Sequence, residues 1–143
     1  MPPGDRPYEE SVLPYRVSSN LVVRLIELRN VDPEFSRCSY CGANDYWHVA
    51  WPASLALSQH VSVARPPDSW SGLKALVVGA GVGLESVTLS SLGADVTALD
   101  HIPESLRLVQ RNCTINEVPR VREEWACWLD QTDRYTVEDF DVL

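Results

Sequence analysis

The chain has 143 residues, of which 45% are apolar, and this is enough material for one compact domain with a hydrophobic core. Its 20 acidic residues exceed its 12 basic residues and give a net charge of -8, which argues against a surface that binds nucleic acid or an anionic membrane. No stretch approaches the ~20 apolar residues of a membrane span, and the N-terminus lacks the apolar core of a signal peptide. We therefore expect a cytoplasmic protein whose cysteines are reduced thiols.

Changes in composition divide the chain into three predicted parts. Residues 1–20 are rich in proline and lack periodicity, which is typical of a flexible N-terminal arm. Residues 21–70 are predicted to form an N-terminal cap, in which 21–28 is apolar enough for a strand, with a short helix as the open alternative. Residues 71–143 are predicted to hold an α/β core, because the proline pair at 66–67 marks a boundary and the pattern changes after it.

Two motifs stand out in the cap. Cys38 and Cys41 have the Cys-x-x-Cys spacing of half a zinc site, but a structural zinc site needs four ligands and no second pair follows, so we expect no metal. An aromatic segment at 46–52 leads into a helix that is predicted to begin at Pro52, because proline suits the first position of a helix. The side chains of this helix that are predicted to face the core are Leu55, Ala56, Leu57, Val61 and Val63.

The core region alternates strands with helices. The predicted elements are a strand at 73–78, a helix that ends near residue 91 before Gly93, a strand at 94–99, a helix that begins at Pro103, and strands at 121–129 and 140–143. This order predicts a parallel sheet with right-handed crossover connections. Asn112 and Asn116, near the end of the second helix, are interpreted as capping residues.

A glycine loop lies between the first strand and the first helix of the core. Gly79, Gly81 and Gly83 allow a tight turn and a close approach of the backbone to a ligand. Asp100 follows at the tip of the next strand, where a carboxylate can accept hydrogen bonds from both hydroxyls of a ribose. A dinucleotide fingerprint needs glycine or alanine where this chain has Leu84, so the pattern favours a nucleoside cofactor without a pyrophosphate.

With these motifs, residues 21–143 resemble the seven-strand class I methyltransferases, and among them the nicotinamide-methyltransferase-like group that includes many protein-lysine methyltransferases. Besides the glycine loop and Asp100, the resemblance rests on the aromatic-Trp-Pro segment around Trp51 and on the Leu-Asp pair that ends at Asp130. It implies S-adenosylmethionine as the cofactor and a Rossmann-like α/β fold, with residues 71–143 as the cofactor-binding half. The predicted cofactor-binding residues are Trp51, Gly79, Ala80, Gly81, Gly83, Asp100, His101 and Asp130.

The chain also departs from the family pattern. Val77 stands where the family usually has an acid that helps to hold the methionine ammonium group of the cofactor, and Gln131 replaces a tryptophan, so we expect weaker cofactor binding. Trp51 has two open interpretations, as a wall of the pocket or as ordinary packing. The family motif beside the methyl acceptor and the strands after it do not follow residue 143, so we expect an incomplete fold, about the first half of seven strands, and assign no catalytic residue.

The resemblance implies a methyltransferase that acts on a protein side chain, with lysine as the favoured acceptor. Two alternatives stay open. One is a catalytically inactive adenosyl-binding or interaction module, and the other, less favoured, is an NAD-dependent oxidoreductase. Because an incomplete sheet leaves backbone groups unpaired at 140–143, we expect marginal stability or an oligomer that forms through that exposed edge.

Overall fold

The computed structural model describes residues 7–36, 46–119, 121–127 and 139–142. These residues form an antiparallel hairpin, a cap helix and a parallel sheet with helices packed on it. Several sequence predictions concern residues outside the described ranges, namely those for Cys38, Cys41, Asp130 and the first six residues of the N-terminal arm.

The N-terminal part of the chain forms a hairpin. Strands β1 (Glu9–Arg16) and β2 (Val22–Arg29) pair antiparallel along their full length, and a single helical turn, α1 (Pro33–Ser36), follows them. Most side chains of β2 are buried, which confirms the strand interpretation of this apolar stretch. The prediction of a flexible arm is wrong for residues 9–16, because β1 is stabilised by its pairing with β2, and an edge strand tolerates Pro14.

The cap helix, α2 (Pro52–Ala64), begins at the predicted proline. It faces the core with Leu55, Ser58 and Val61, which recur at the spacing of one helical turn. The inward face is therefore narrower than the sequence predicts. Three residues that are predicted to face the core are instead exposed: Ala56, Leu57 and Val63.

The remaining described chain alternates strands and helices in the predicted order. The elements are β3 (Lys74–Val78), α3 (Leu84–Ser91), β4 (Asp95–Asp100), α4 (Pro103–Ile115) and β5 (Arg122–Trp125). The strands lie in the order β3-β4-β5 and are parallel, and Val142 forms a further parallel bridge to Ala75 of β3. This confirms the predicted Rossmann-like α/β fold. No helix in the described ranges is both long and apolar enough to cross a membrane.

Two asparagines of α4 connect the hairpin to the core. The buried Asn112 side chain accepts a hydrogen bond from Ile26 N at 2.7 Å and donates to Ile26 O at 3.2 Å and to Val82 O at 2.8 Å. One turn later, the Asn116 amide pairs in the same way with the N–H and C=O of Arg24, at 2.8 and 2.6 Å. Asn116 also donates to Asn112 O at the helix end, so the capping interpretation holds for Asn116 and is wrong for Asn112.

Candidate functional site

The glycine loop connects β3 to α3, and its glycines adopt left-handed backbone conformations. Gly79, Gly81 and Gly83 have φ angles of 69°, 52° and 88°, values that residues with a side chain adopt only at a cost. The N–H groups of Gly79 and Ala80 both donate to Leu99 O, at 2.9 and 3.1 Å. The loop therefore turns sharply after β3 and stays attached to β4.

Gly81 and Gly83 serve different purposes in this loop. A Cβ atom on Gly83 would lie 2.9 Å from Val109 Cγ2, so glycine at this position lets α3 and α4 pack closely. A Cβ atom on Gly81 would lie 3.4 Å from Trp47 O, in the space between the loop and the aromatic segment. That distance is an ordinary van der Waals contact, so glycine is favoured at Gly81 by its φ of 52°, whereas at the buried Gly83 helix packing also requires it.

The side chain of Asp100 binds the glycine loop through a hydrogen bond. Its carboxylate is 3% exposed, and Oδ2 accepts hydrogen bonds from Gly81 N and Ser105 Oγ, both at 2.9 Å. Oδ1 accepts from Ile102 N at 2.9 Å and lies 3.4 Å from His101 Nδ1. A carboxylate offers about four acceptor positions. Three donors of the protein occupy most of these acceptor positions on Asp100, and the position that remains lies on Oδ1.

The aromatic segment on the opposite side is attached to β2 by buried polar groups. The Glu27 carboxylate, 3% exposed, accepts hydrogen bonds from Ala50 N at 2.9 Å and from the Tyr15 hydroxyl. Burial, and then the hydrogen bond to Glu27, raise the pKa of Tyr15. His48 adds backbone and ring contacts to Leu28, at 2.9 and 3.0 Å. The segment is thus fixed in place before α2 begins.

Three aromatic side chains of this segment face the site differently. Trp51, the residue that precedes α2, is 51% exposed, and its indole Nε1 donates to Tyr46 O at 3.0 Å. The Tyr46 and Trp51 rings meet edge to face, with 5.8 Å between their centroids. Trp47 is buried, and its Nε1 has no hydrogen-bond partner among the described residues. The exposure of Trp51 fits a pocket wall better than core packing.

A cleft lies between the aromatic segment and the glycine loop. Its volume is about 180 Å³, below the ~300–1,000 Å³ of a typical small-molecule site, and it opens to solvent. It brings together six predicted site residues: Trp51, Gly79, Ala80, Gly81, Asp100 and His101. The predicted Gly83 is not in its lining, and Asp130 lies outside the described residues. The lining residues that the sequence prediction missed are Tyr46, Trp47, Val49, Ser54, Val82 and Glu85.

The charge of the cleft is carried by two carboxylates. Asp100 lies at the end of β4, and Glu85 lies in the first turn of α3, half-buried and without a hydrogen bond or ion pair to any described residue. Neither lysine nor arginine is found among the described residues that line the cleft. The site therefore favours a cationic ligand and opposes a pyrophosphate.

Comparisons with known proteins give the family and the relatives of this chain. The family described as "Tellurite resistance protein TehB" matches residues 39–132, well over half of the chain. The protein-lysine methyltransferase METTL21E of Bos taurus is 32% identical over 105 residues, which cover 68% of this chain and 36% of that protein. The mitochondrial ubiquinone biosynthesis O-methyltransferase of Bos taurus is 34% identical over 88 residues, which cover 61% of this chain and 24% of that protein.

A solved structure shares the fold. The T. thermophilus 16S rRNA methyltransferase RsmC, solved with AdoMet and guanosine, superposes with a TM-score of 0.60 at 19% identity, over 87% of this chain and 29% of that chain. The present chain thus spans between about a quarter and about a third of the length of these three proteins. Because the family match covers well over half of the chain, the chain belongs to the TehB family of class I S-adenosylmethionine-dependent methyltransferases.

Proposed function

We propose that the cleft binds S-adenosylmethionine and that the protein uses it to methylate a protein side chain. The observation that supports the proposal is the negative charge of the cleft. Asp100 and Glu85 line it together with the glycine loop, and no lysine or arginine lies among its described lining residues. S-adenosylmethionine carries a sulfonium and an ammonium group against one carboxylate, whereas NAD carries two phosphates. An acidic cleft suits the first ligand and repels the second.

The residues of the cleft also fit the shape of this cofactor. Gly81 lines the cleft without a side chain, so the backbone of the loop can approach a ligand there. We assign the remaining acceptor capacity of Asp100 Oδ1 to one ribose hydroxyl, rather than to both as the sequence suggests, because Oδ2 already receives two donors. Trp51 and His101 would flank the adenosine, and Asp130 stays a proposed neighbour of the adenine.

When bound, the cofactor supplies an electrophilic methyl group on its sulfonium. The residues of this chain position the donor and exclude water from one side of it, through Trp51 and the glycine loop around Gly79 and Gly81. Gly83 contributes indirectly, by letting α3 and α4 approach. A methyl acceptor such as a lysine amine must reach its neutral form, which requires burial or a neighbouring base.

The acceptor is proposed to be a protein, with lysine favoured by the METTL21E relative. The net charge of -8 supports a protein acceptor over a nucleic acid, although the matched relatives include enzymes named for an RNA and for ubiquinone biosynthesis. We further propose a cytoplasmic location and self-association through the sheet edge near Val142, which pairs with β3 through a single bridge.

Calorimetry with S-adenosylmethionine, S-adenosylhomocysteine and NAD tests the cofactor. We expect the first two ligands to bind and NAD not to bind, and the reverse result would contradict the proposal.

The variant Trp51→Ala tests whether Trp51 belongs to the binding site. Because Trp51 is half-exposed, we expect about tenfold weaker S-adenosylmethionine binding with an unchanged melting temperature. A drop in melting temperature with unchanged affinity would instead assign Trp51 to packing. Transfer of a labelled methyl group to lysate proteins then tests the acceptor class.

A further inference from the structure

Glu85 occupies an unusual position beside the glycine loop. It is the second residue of α3, and its side chain lines both the cleft and an adjoining apolar pocket. That second pocket is otherwise formed by aliphatic side chains and Gly79, among them Val77, Leu89 and Val142. This half-buried carboxylate lies beside apolar surface and has no protein partner among the described residues. Its surroundings leave it available to a cation that enters the cleft.

The two carboxylates of the cleft differ in what they already bind. Asp100 receives Gly81 N, Ile102 N and the Ser105 hydroxyl, and these donors fix its position. Glu85 receives no hydrogen bond from a described residue, although it lies on the same cleft. Asp100 is therefore committed to the loop and to a neutral hydroxyl, while Glu85 retains its full capacity to bind a charged donor.

We propose that the Glu85 carboxylate binds the α-ammonium group of the methionine part of S-adenosylmethionine, an inference that rests on the proposed function. The ligand has two cationic groups, the sulfonium and the ammonium, but only the ammonium has N–H donors that a carboxylate can accept. Glu85 lies next to the apolar pocket beside Gly79, which suits the aliphatic part of a methionine chain. The bound amino-acid group would thus receive its counter-charge from α3.

A simpler reading makes Glu85 a stabiliser of its own helix, since an acid in the first turn interacts favourably with the helix dipole. Ligand series separate the two roles. S-adenosylhomocysteine keeps the ammonium group and lacks the sulfonium charge, and methylthioadenosine lacks the amino-acid group altogether. If Glu85 contacts the ammonium group, loss of its charge weakens binding of S-adenosylhomocysteine and leaves binding of methylthioadenosine unchanged. If Glu85 stabilises the helix instead, loss of its charge weakens binding of both ligands.

The experiment is calorimetry on the full chain and on Glu85→Gln, with each of the three ligands. Glu104→Gln is the matched control, because Glu104 is likewise the second residue of its helix, α4, and does not line the cleft. We expect Glu85→Gln to weaken binding of S-adenosylmethionine and S-adenosylhomocysteine by about tenfold and to leave methylthioadenosine within about twofold. Glu104→Gln should leave all three affinities unchanged. Thermal unfolding followed by circular dichroism verifies that both variants are folded.

Three results would overturn the assignment. Equal weakening of all three ligands would make Glu85 a structural residue of the loop or helix. Weakening of S-adenosylmethionine alone would move the contact to the sulfonium. Unchanged affinities in Glu85→Gln would remove Glu85 from the site while leaving the proposed function intact. If the unaltered chain binds none of the three ligands, the proposed function itself fails, which distinguishes the two failures.

Discussion

The two walls of the cleft are built by different means. The glycine-loop wall follows from residues that are close in sequence, since β3, the loop and α3 are consecutive and Asp100 is the last residue of the next strand. The aromatic wall depends on contacts between distant parts of the chain, with Glu27 holding Ala50 and Asn112 holding Ile26. A short motif can therefore specify one side of a binding site, while the opposite side needs the complete fold.

The largest effect should come from the glycine loop, at Gly83, which packs against α4 and does not itself line the cleft. We expect Gly83→Ala to lower the free energy of unfolding by about 4 kcal/mol, because alanine is strained at φ 88° and its Cβ would lie 2.9 Å from Val109 Cγ2. Gly72→Ala is the control, with a similar φ of 78° and no atom within 4 Å of the added Cβ, and should lose only about 1 kcal/mol. Urea unfolding measures both. Equal losses would show that helix packing does not explain this glycine.

The next effect concerns the long-range wall and its attachment to α4. We expect Asn112→Ala to lower the free energy of unfolding by about 3 kcal/mol, because it leaves the N–H and C=O of Ile26 and the C=O of Val82 without their partner in a buried place. Asn116→Ala removes a similar pair of bonds at an exposed position and should cost about 1 kcal/mol. Chemical denaturation of both variants provides the comparison. A larger loss for Asn116→Ala would contradict the role assigned to burial.

The smallest effect appears only in alkaline solution and involves Tyr15 beneath the aromatic segment. Burial and the hydrogen bond to Glu27 raise the pKa of Tyr15 above its ordinary value of 10.0. The hydroxyl therefore ionises first in the unfolded chain, so its stabilising contribution is complete below that pH and is lost as the pH rises further. We expect the free energy of unfolding to fall more steeply above pH 10.0 in the natural chain than in Tyr15→Phe.

Urea titrations at about pH 8 and about pH 11 measure this difference. Tyr8→Phe is the control, because the Tyr8 ring packs against Phe35 and its hydroxyl is not bonded to Glu27. Tyr8→Phe should retain the steep fall in the free energy of unfolding at alkaline pH. The same slope in Tyr15→Phe as in the natural chain would show that Tyr15 does not report on the attachment of the aromatic segment.

The same contrast explains which features the sequence could predict. The order of β3, α3, β4 and α4 was accessible because glycine, proline and apolar periodicity act over a few residues. β1 was not, since its stability comes from pairing with β2 rather than from its own pattern. Asn112 carried a misleading signal: near a helix end an asparagine indicates a cap, but its partner Ile26 lies 86 positions away.

The candidate site was predictable to a similar extent. The glycines and Asp100 were found from their spacing, and the structure brings most of them into one cleft. Glu85 was overlooked although it follows the loop directly, because an acid in the first turn of a helix is common for reasons of helix stability alone. Only its position between two pockets, without a partner among the described residues, distinguishes it.

The triple contact of Asn112 has a mechanical consequence for the cleft. One amide group binds Val82, which lines the glycine-loop side, and Ile26, whose neighbour Glu27 carries the aromatic side. Neither wall can shift relative to the other without breaking bonds to the same buried side chain. We therefore expect the opening between them to be largely set before a ligand binds, so that little of the binding free energy is lost in ordering the protein.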